Sequence, residues 1–416
     1  MVSSSTPTKV GGMLPAVDGD VLRVVRDAGT ISRADLTRQL GLSRPAVSAR
    51  LDSLTRLGLI QGTGPGPSTG GRPPSLVRFV PDSAFVIGVD LGATSVDVAI
   101  ADLSAQPVAH VAMELDVRDG PDKVLGIVCD LIDELLDRPL GNGRRPADVV
   151  RGIGIGIPGP VEFELGMAVS PPIMPGWDQF PVREFLAERY GWPVFVDNDA
   201  NLMAVGEGCA GAGSDVANFL YAKIGTGIGC GVICGGSVYR GQSGSAGDIG
   251  HITVRGQAVA CHCGNAGCLE SVAGGRALGR VARELAESGS SPGLARALAA
   301  TGALTAADLA TAITEADLAA IEAVRAAGTA IGEVLAGLVN FYNPSLVVIG
   351  GGVVQIGDLL LAAIRESIYR RSLPLATKNL MVTTGALGGQ AGVIGAAATV
   401  LAELYRLLPM SRKARG

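Results

Sequence analysis

Between Gly247 and Glu270 the chain reads GDIGHITVRGQAVACHCGNAGCLE, and this stretch holds His251, Cys261, Cys263 and Cys268. One imidazole and three thiols at His-x9-Cys-x-Cys-x4-Cys spacing form a donor set that zinc takes as a closed tetrahedral structural site. Gly264 and Gly267 lie between the last two cysteines, where the backbone must turn tightly to bring three sulfurs together. Three buried or disulfide-bonded cysteines would be the alternative, but so local a cluster more often binds metal. Asp248 and Glu270 flank the cluster on either side, which predicts a polar ligand beside the metal.

Three further stretches could do chemistry. Asp90 ends an apolar strand at 85–89, and Gly92 and Thr94 lie in the turn to a return strand at 96–102. Such a turn can offer N–H groups and a hydroxyl to phosphate while the carboxylate orients hydrated Mg²⁺, although a plain hairpin would read the same. Asn198 and Asp199 follow a strand at 193–196 and open a helix through Glu207. A carboxylate there is placed for an α/β cleft, or simply caps the helix. GTGIGCG at 225–231 follows a strand at 220–224, and its glycines permit close backbone approach to phosphates.

The elements that position these groups need 416 residues, a length that predicts two or three domains. Apolar content is high, and Gly and Ala are abundant while aromatics are few, which fits packed α/β layers and argues against disorder. Residues 1–80 carry ten Lys/Arg against five Asp/Glu, whereas the whole chain is at −5, so the excess positive charge sits at the N-terminal end. That asymmetry predicts an anionic partner for this end, nucleic acid being the usual one. No apolar run reaches the ~18–20 residues of a membrane span. The N-terminus lacks the apolar core of a signal peptide, and clustered cysteines without secretion fit a cytoplasmic protein with no membrane partner.

Residues 1–16 read as disordered, 17–80 as a DNA-binding domain, 81–406 as a second, larger α/β domain and 407–416 as a solvated tail. A first helix spans 17–28. Ser32 with Asp35 predicts a capping box for a helix ending at Leu40, Gly41 breaks the chain, and Ser43 with Pro45 starts a second helix over 44–57. Helix, glycine turn and helix, followed by strands at 59–61 and 75–80, make a winged helix-turn-helix. An ordinary three-helix domain is the alternative. Ser43, Arg44, Ser48 and Arg50 are the expected DNA contacts. Arg72 in GGRPP is either a minor-groove contact or part of an innocent linker.

The residues ISRADLTRQLGLSRPAVSARLDSLTRLGLI and STGGRPP resemble the winged domain of the ROK family (repressors, open reading frames, kinases). The resemblance continues through Asp90-x-Gly92-x-Thr94, the Pro-Gly-Pro at 158–160, Asn198-Asp199, GTGIGCG, Gly-Asp-x-Gly-His with its cysteines, and Gly350-Gly351-Gly352. It implies an α/β fold in which the winged domain precedes a two-lobed, actin-like, hexokinase-type body. It further implies a sugar site at Gly159, Asn198, Asp199, Asp248, His251 and Glu270, with Asp199 the general base if the protein is a kinase. A nucleotide would lie against Asp90, Gly92, Thr94, Gly225, Thr226, Gly227, Gly350 and Gly351. Zinc would be structural, and Mg·ATP belongs to the kinase reading. Ala93, Ser95 and Asp248 depart from the family pattern. The resulting expectation is a sugar-responsive regulator, more often a repressor, that binds operator DNA and a sugar or sugar phosphate as a homodimer or homotetramer. An ATP-dependent hexose kinase carrying a DNA-binding domain is the alternative.

Overall fold

The computed structural model describes residues 14–65, 75–141 and 143–407. Helix α1 (Ala16–Ala28) buries Asp18, Val21, Leu22 and Val25, which fall on one face at helical spacing. Strand β1 (Thr30–Ser32), helices α2 (Arg33–Leu40) and α3 (Arg44–Arg56), and strands β2 (Ile60–Pro65) and β3 (Ser75–Phe79) follow. Ser32 caps α2, its Oγ accepting from the Asp35 N–H at 3.1 Å. Gly41 at φ 64° ends that helix. Ser43 caps α3 by accepting from the Ala46 N–H at 3.4 Å. The small sheet has three strands in the order β1-β3-β2; β1 was not expected from the sequence. Arg72 lies outside the described residues, as do 1–13 and 408–416.

Two features differ from the sequence reading. Leu14 is buried and its N–H donates to the Leu404 carbonyl at 2.9 Å, so the chain joins the fold before residue 17. Leu407, grouped with the tail, is also buried. Arg50 is the second. It does not point away from the apolar stripe, because it stands three residues after Val47 and four before Leu54, on the stripe's edge. Its Nε lies 3.3 Å from the Oδ1 of Asp18, which is only 4% exposed. That oxygen gains charge compensation without a well-formed hydrogen bond. Arg50 therefore ties α3 to α1 within the winged domain.

The body has two lobes of the same design. The first contains β4 (Phe85–Leu91), β5 (Ser95–Asp102), β6 (Pro107–Glu114), α4 (Pro121–Asp137), α5 (Pro146–Val149), β7 (Val150–Ile157), the short pair β8 (Val161–Glu162) and β9 (Met167–Ala168), α6 (Val182–Tyr190), β10 (Val194–Asn198) and α7 (Asp199–Ala210). Its main sheet runs β10-β7-β4-β5-β6. The second contains β11 (Phe219–Ile224), β12 (Ile228–Cys234), β13 (Ser237–Val238), α8 (Leu269–Ala273), α9 (Gly275–Glu287), α10 (Pro292–Thr301), α11 (Ala306–Thr314), α12 (Leu318–Tyr342), β14 (Leu346–Gly350), α13 (Asp358–Arg371), α14 (Pro374–Thr377), β15 (Met381–Thr384) and α15 (Ala391–Tyr405). Its sheet runs β13-β12-β11-β14-β15. In each lobe the first strand pairs antiparallel with the second and parallel with the first strand after the crossover. The turns β4–β5 and β11–β12 are thus equivalent, as expected for a duplicated actin-like fold. Among the described residues no helix is long and apolar enough to cross a membrane.

Helices α7 and α15 cross between the lobes. Both are apolar around most of their circumference and almost wholly buried, which suits a helix with packed neighbours on every side. Their backbones nearly touch. A Cβ on Gly395 would lie 1.7 Å from the Leu202 carbonyl oxygen, and one on Gly206 2.1 Å from that of Ala391. The other face of α15 lies on β4 and β7. Leu404 at its far end and Leu407 just beyond it join one apolar cluster with Leu14, Leu22 and Leu54 at the N-terminal end. The helix that packs behind the site is therefore also the helix on which the winged domain rests.

Gly395→Val should lower unfolding free energy by about 3 kcal/mol or more, because neither backbone can retreat from the overlap. Gly337→Ala, on the exposed face of α12 with nothing within 4 Å, should leave stability unchanged or raise it by about 0.5–1 kcal/mol. Urea unfolding followed by circular dichroism measures both. Similar losses for the two variants would show that the crossing is not under this constraint.

Candidate functional site

A cleft opens between the lobes at the ends of β7, β10 and β11. Its walls include Gly159, Asn198, Asp199, Lys223, Thr226, Gly227, Asp248, His251 and Glu270. All six residues expected to touch sugar thus face one space. Its empty volume is about 830 Å³ counting the open mouth.

Asn198 caps α7: its Oδ1 accepts from the Ala200 N–H at 2.9 Å and the Asn201 N–H at 3.3 Å. Its Nδ2 donates to the Gly159 carbonyl at 2.9 Å. The cap is therefore Asn198, and Asp199 is the first helical residue, with its carboxylate turned to β11. There Lys223 Nζ forms an ion pair and hydrogen bond with Asp199 Oδ2. Asp90 sits close by, wholly buried, with Oδ1 unpartnered. Burial raises its pKa to about 7; Lys223 opposes the rise, and Asp199 and Asp97 add to it. Burial alone would lower the pKa of Lys223, but Asp199 and Asp90 outweigh it, and the ammonium is held in its charged form. Glu270 Oε2 accepts from the Ile228 N–H at 3.0 Å, so a carboxylate already takes a donor of the Gly225–Gly231 loop. A Cβ at residue 227 would fall 2.2 Å from that oxygen, hence Gly227.

Beneath this layer, Asp197 is 2% exposed and fully engaged. It accepts from the Asn198 N–H, from Asn201 Nδ2 and from the Arg240 guanidinium, whose carbon lies 3.8 Å above the Phe163 ring. Asp197, Lys223 and Arg240 were all missed from the sequence. Lys223 had a usable signal, as the only charge in the strand FLYAKI just before the glycine loop.

His251, Cys261, Cys263 and Cys268 present ligand atoms all within 4.8 Å of one another. Cys263 and Cys268 sulfurs are 3.7 Å apart, and Cys261 Sγ is 3.6 Å from His251 Nδ1. A tetrahedral zinc with bonds of about 2.3 Å to sulfur sets ligand edges of about 3.7 Å, so the donor set fits that ion. No cysteine is disulfide-bonded. With Nδ1 toward Cys261, His251 turns Nε2 to the cleft and to Asp248 Oδ1 at 3.8 Å. One imidazole thus joins the cysteine cluster to the cleft.

The expected nucleotide residues are less unified. Thr226 and Gly227 line the cleft, whereas Asp90, Gly92, Thr94, Gly225, Gly350 and Gly351 do not. Gly351, at φ +86°, packs on the Ile224 backbone at the base of the second loop. Gly92 donates to the Ser95 carbonyl at 2.8 Å within the first turn. In the winged domain Arg44 is exposed, and Ser48 accepts from Arg33 at 3.2 Å. Arg33, which the sequence reading did not single out, thus joins the exposed face of α2 and α3.

The chain matches the ROK family over residues 86–403 and a winged helix-turn-helix DNA-binding family over residues 14–61. It is 30% identical to the xylose repressor of Caldicellulosiruptor bescii over 384 residues, covering 92% of this chain and 95% of that one. It is 36% identical to the glucokinase of Halalkalibacterium halodurans over 312 residues, covering 75% and 93%. A crystal structure of a ROK family transcriptional regulator, a homolog of the E. coli MLC protein, superposes with a TM-score of 0.78 at 26% identity, over 96% of this chain and 98% of that one. A Streptomyces griseus ROK glucokinase in complex with glucose and AMPPNP superposes with a TM-score of 0.66 at 29% identity, over 76% and 98%.

The purified protein should contain one zinc per chain by plasma mass spectrometry, and Cys268→Ser should lose it and lower the melting temperature. Full stability without metal would remove the structural role. Asp90 gives a pH prediction. Its folded pKa lies above the ordinary 3.8, so its contribution is complete below pH 4 and is lost as pH rises to about 7. Relative to wild type, Asp90→Asn should gain stability across that window, by at most about 1.4 kcal/mol per pH unit. A pH-independent difference in melting temperature between the two would contradict the burial argument.

Proposed function

The chain belongs to the ROK family and carries a winged helix-turn-helix at its N-terminal end, and from that premise we propose that it is a sugar-responsive DNA-binding repressor. The observation that carries this reading is the continuous packing from cleft to DNA-binding domain. Asn198 and Asp199 start α7, α7 crosses α15 at glycine contacts, and α15 ends in the core shared with the winged domain. A sugar that binds one arrangement of the lobes better than the other shifts the population of winged-domain positions, to the extent of its differential affinity.

In this reading Gly159, Asn198, Asp199, Asp248, His251 and Glu270 contact the sugar. Zinc holds His251 in place, as a structural ion beside the ligand. Ser43, Arg44 and Ser48 meet operator DNA, with Arg33 beside them and Arg72 in the wing, and Arg50 acts from within the domain through Asp18. A homodimer on a palindromic site in the cytoplasm is the simplest assembly for one such motif per chain. Xylose and glucose head the ligand panel, because the related proteins are xylose repressors and glucokinases.

Fluorescence anisotropy with DNA from the upstream region of its own gene tests the reading. Binding should weaken steeply with salt, and Arg44→Ala should cost about tenfold or more in affinity. A cognate sugar should release the DNA from wild type, while Asn198→Ala should still bind DNA and no longer respond. DNA binding that no sugar of the panel alters would sink the sensor assignment.

A further inference from the structure

Lys223 is the cation of the cleft, and its placement bears on what the cleft can bind. It stands on β11 opposite Gly229 of β12 on one side and Gly350 of β14 on the other. The space over Gly350 is taken by the Tyr221 hydroxyl, and the Lys223 stem runs toward Gly225, where a Cβ would lie 3.4 Å from its Cε, bringing the ammonium to Asp199. There it bonds Asp199 directly and lies close enough to Asp90 to influence its charge. Asp90 and Asp199 come from the ends of two strands of the first lobe, and Lys223 from the second.

In phosphoryl transfer the acidic side chains of a site hold divalent cations, which bridge the phosphates, while a carboxylate accepts the proton of the attacking hydroxyl. Both tasks are obstructed here. The Asp199 oxygen that would accept a proton is held by an ammonium. The space beside Asp90 and Asp199 already has a resident positive charge, and a second cation there would be repelled. The glycine loop that would cradle phosphate has its Ile228 N–H bonded to Glu270, a carboxylate that would itself repel phosphate. Mg·ATP therefore does not fit the residues present.

We infer that Lys223 is a built-in counter-ion to Asp199 that stands where a divalent cation would be needed, so that the cleft selects a neutral polyhydroxy sugar and excludes Mg·nucleotide. This rests on the sugar-binding reading and adds a specificity-determining residue to it. The balance of charge is consistent: one ammonium neutralises one carboxylate, and burial leaves Asp90 shifted toward its protonated form. The remaining carboxylates, Asp248 and Glu270, accept hydrogen bonds from hydroxyls, and both disfavour a phosphorylated sugar.

The test uses the full-length, zinc-loaded protein with Mn²⁺ as probe, a hard cation that prefers oxygen ligands to thiolates. Free Mn²⁺ is read by electron paramagnetic resonance. Wild type should bind no Mn²⁺ that depends on Asp199. Lys223→Met, which keeps the stem and removes the charge, should gain one site, with affinity at least about tenfold above wild type. The double variant Lys223→Met/Asp199→Asn should lose that site again. A wild type that already binds Mn²⁺ through Asp199, or a folded Lys223→Met that binds none, overturns the inference. Should Lys223→Met not fold, wild type decides alone: calorimetry with Mg·AMPPNP should show no binding, and Mg·ATP with glucose or xylose should release no ADP. Turnover overturns the counter-ion role. Operator release by sugar, measured on the same preparation, keeps the two ideas apart. Turnover together with sugar release would refute only this inference, and absence of any sugar response would refute the reading beneath it.

Discussion

The close crossing of α7 and α15 is the constraint on which the rest of the structure depends. Backbone atoms at Leu202 and Ala391 stand where side chains would be at Gly395 and Gly206. Helices this close cannot slide by fractions of a side chain, because there is no compressible layer between them. A change at the N-terminus of α7 must either be absorbed by loops or move both helices as a unit. The site residues sit at that N-terminus, and the winged domain rests on the C-terminus of α15. The geometry favours rigid-body motion over local deformation, the type of transition that packed bistable interfaces support.

Electrostatics sets the second condition. Besides Asp248 on its wall, the cleft and the layer beneath it hold four carboxylates close together, Asp90, Asp197, Asp199 and Glu270, and each is handled differently. Asp197 is paired with Arg240 and three-way hydrogen-bonded. Asp199 is paired with Lys223. Glu270 takes a backbone N–H, and Asp90 is shifted toward neutrality by burial. A buried carboxylate without one of these arrangements would be strongly destabilising. Both cations, Lys223 and Arg240, come from the second lobe, while three of the four carboxylates come from the first. The same ion pairs that make burial tolerable therefore hold the lobes together at the floor of the cleft.

Much of this was legible in the sequence, for local reasons. Ser32 and Ser43 announced helix starts because a cap needs only its own next three residues. The cysteine spacing announced the donor cluster because its members lie within one short stretch. The glycine loops and the Asn198-Asp199 pair marked strand ends, and the structure brings the sugar-side residues to one cleft. What escaped was set by partners distant in sequence. Arg50 looked unpaired until Asp18, 32 residues earlier, supplied an ion pair, although its side chain stays 41% exposed. Lys223 and Asp199 are separated by 24 residues, and Arg240 and Asp197 by 43. Helices α4, α6 and α10, strand β6 and the short β1 were also not read out, since their patterns carry no chemistry and β1 is only three residues long.

In the proposed reading, the His251, Cys261, Cys263 and Cys268 cluster, once it holds zinc, has a role in the motion as well as in local stability. His251 turns one nitrogen to Cys261 and the other to the cleft, so its ring orientation is fixed by the sulfur ligands. An imidazole held by metal cannot rotate to follow a ligand; the ligand and the opposing lobe must come to it. The opposing lobe presents Gly159 and Asn198, whose mutual hydrogen bond ties the 158–160 loop to the start of α7. A sugar bonded to His251 on one side and to the Asn198 region on the other therefore pulls on α7 directly. A metal held by this cluster would make one wall of the cleft rigid, and the other wall is the end of a helix that packs backbone to backbone on α15. In the proposed reading, ligand closure is converted into helix displacement with little lost in side-chain rearrangement, and the winged domain lies at the far end of that displacement.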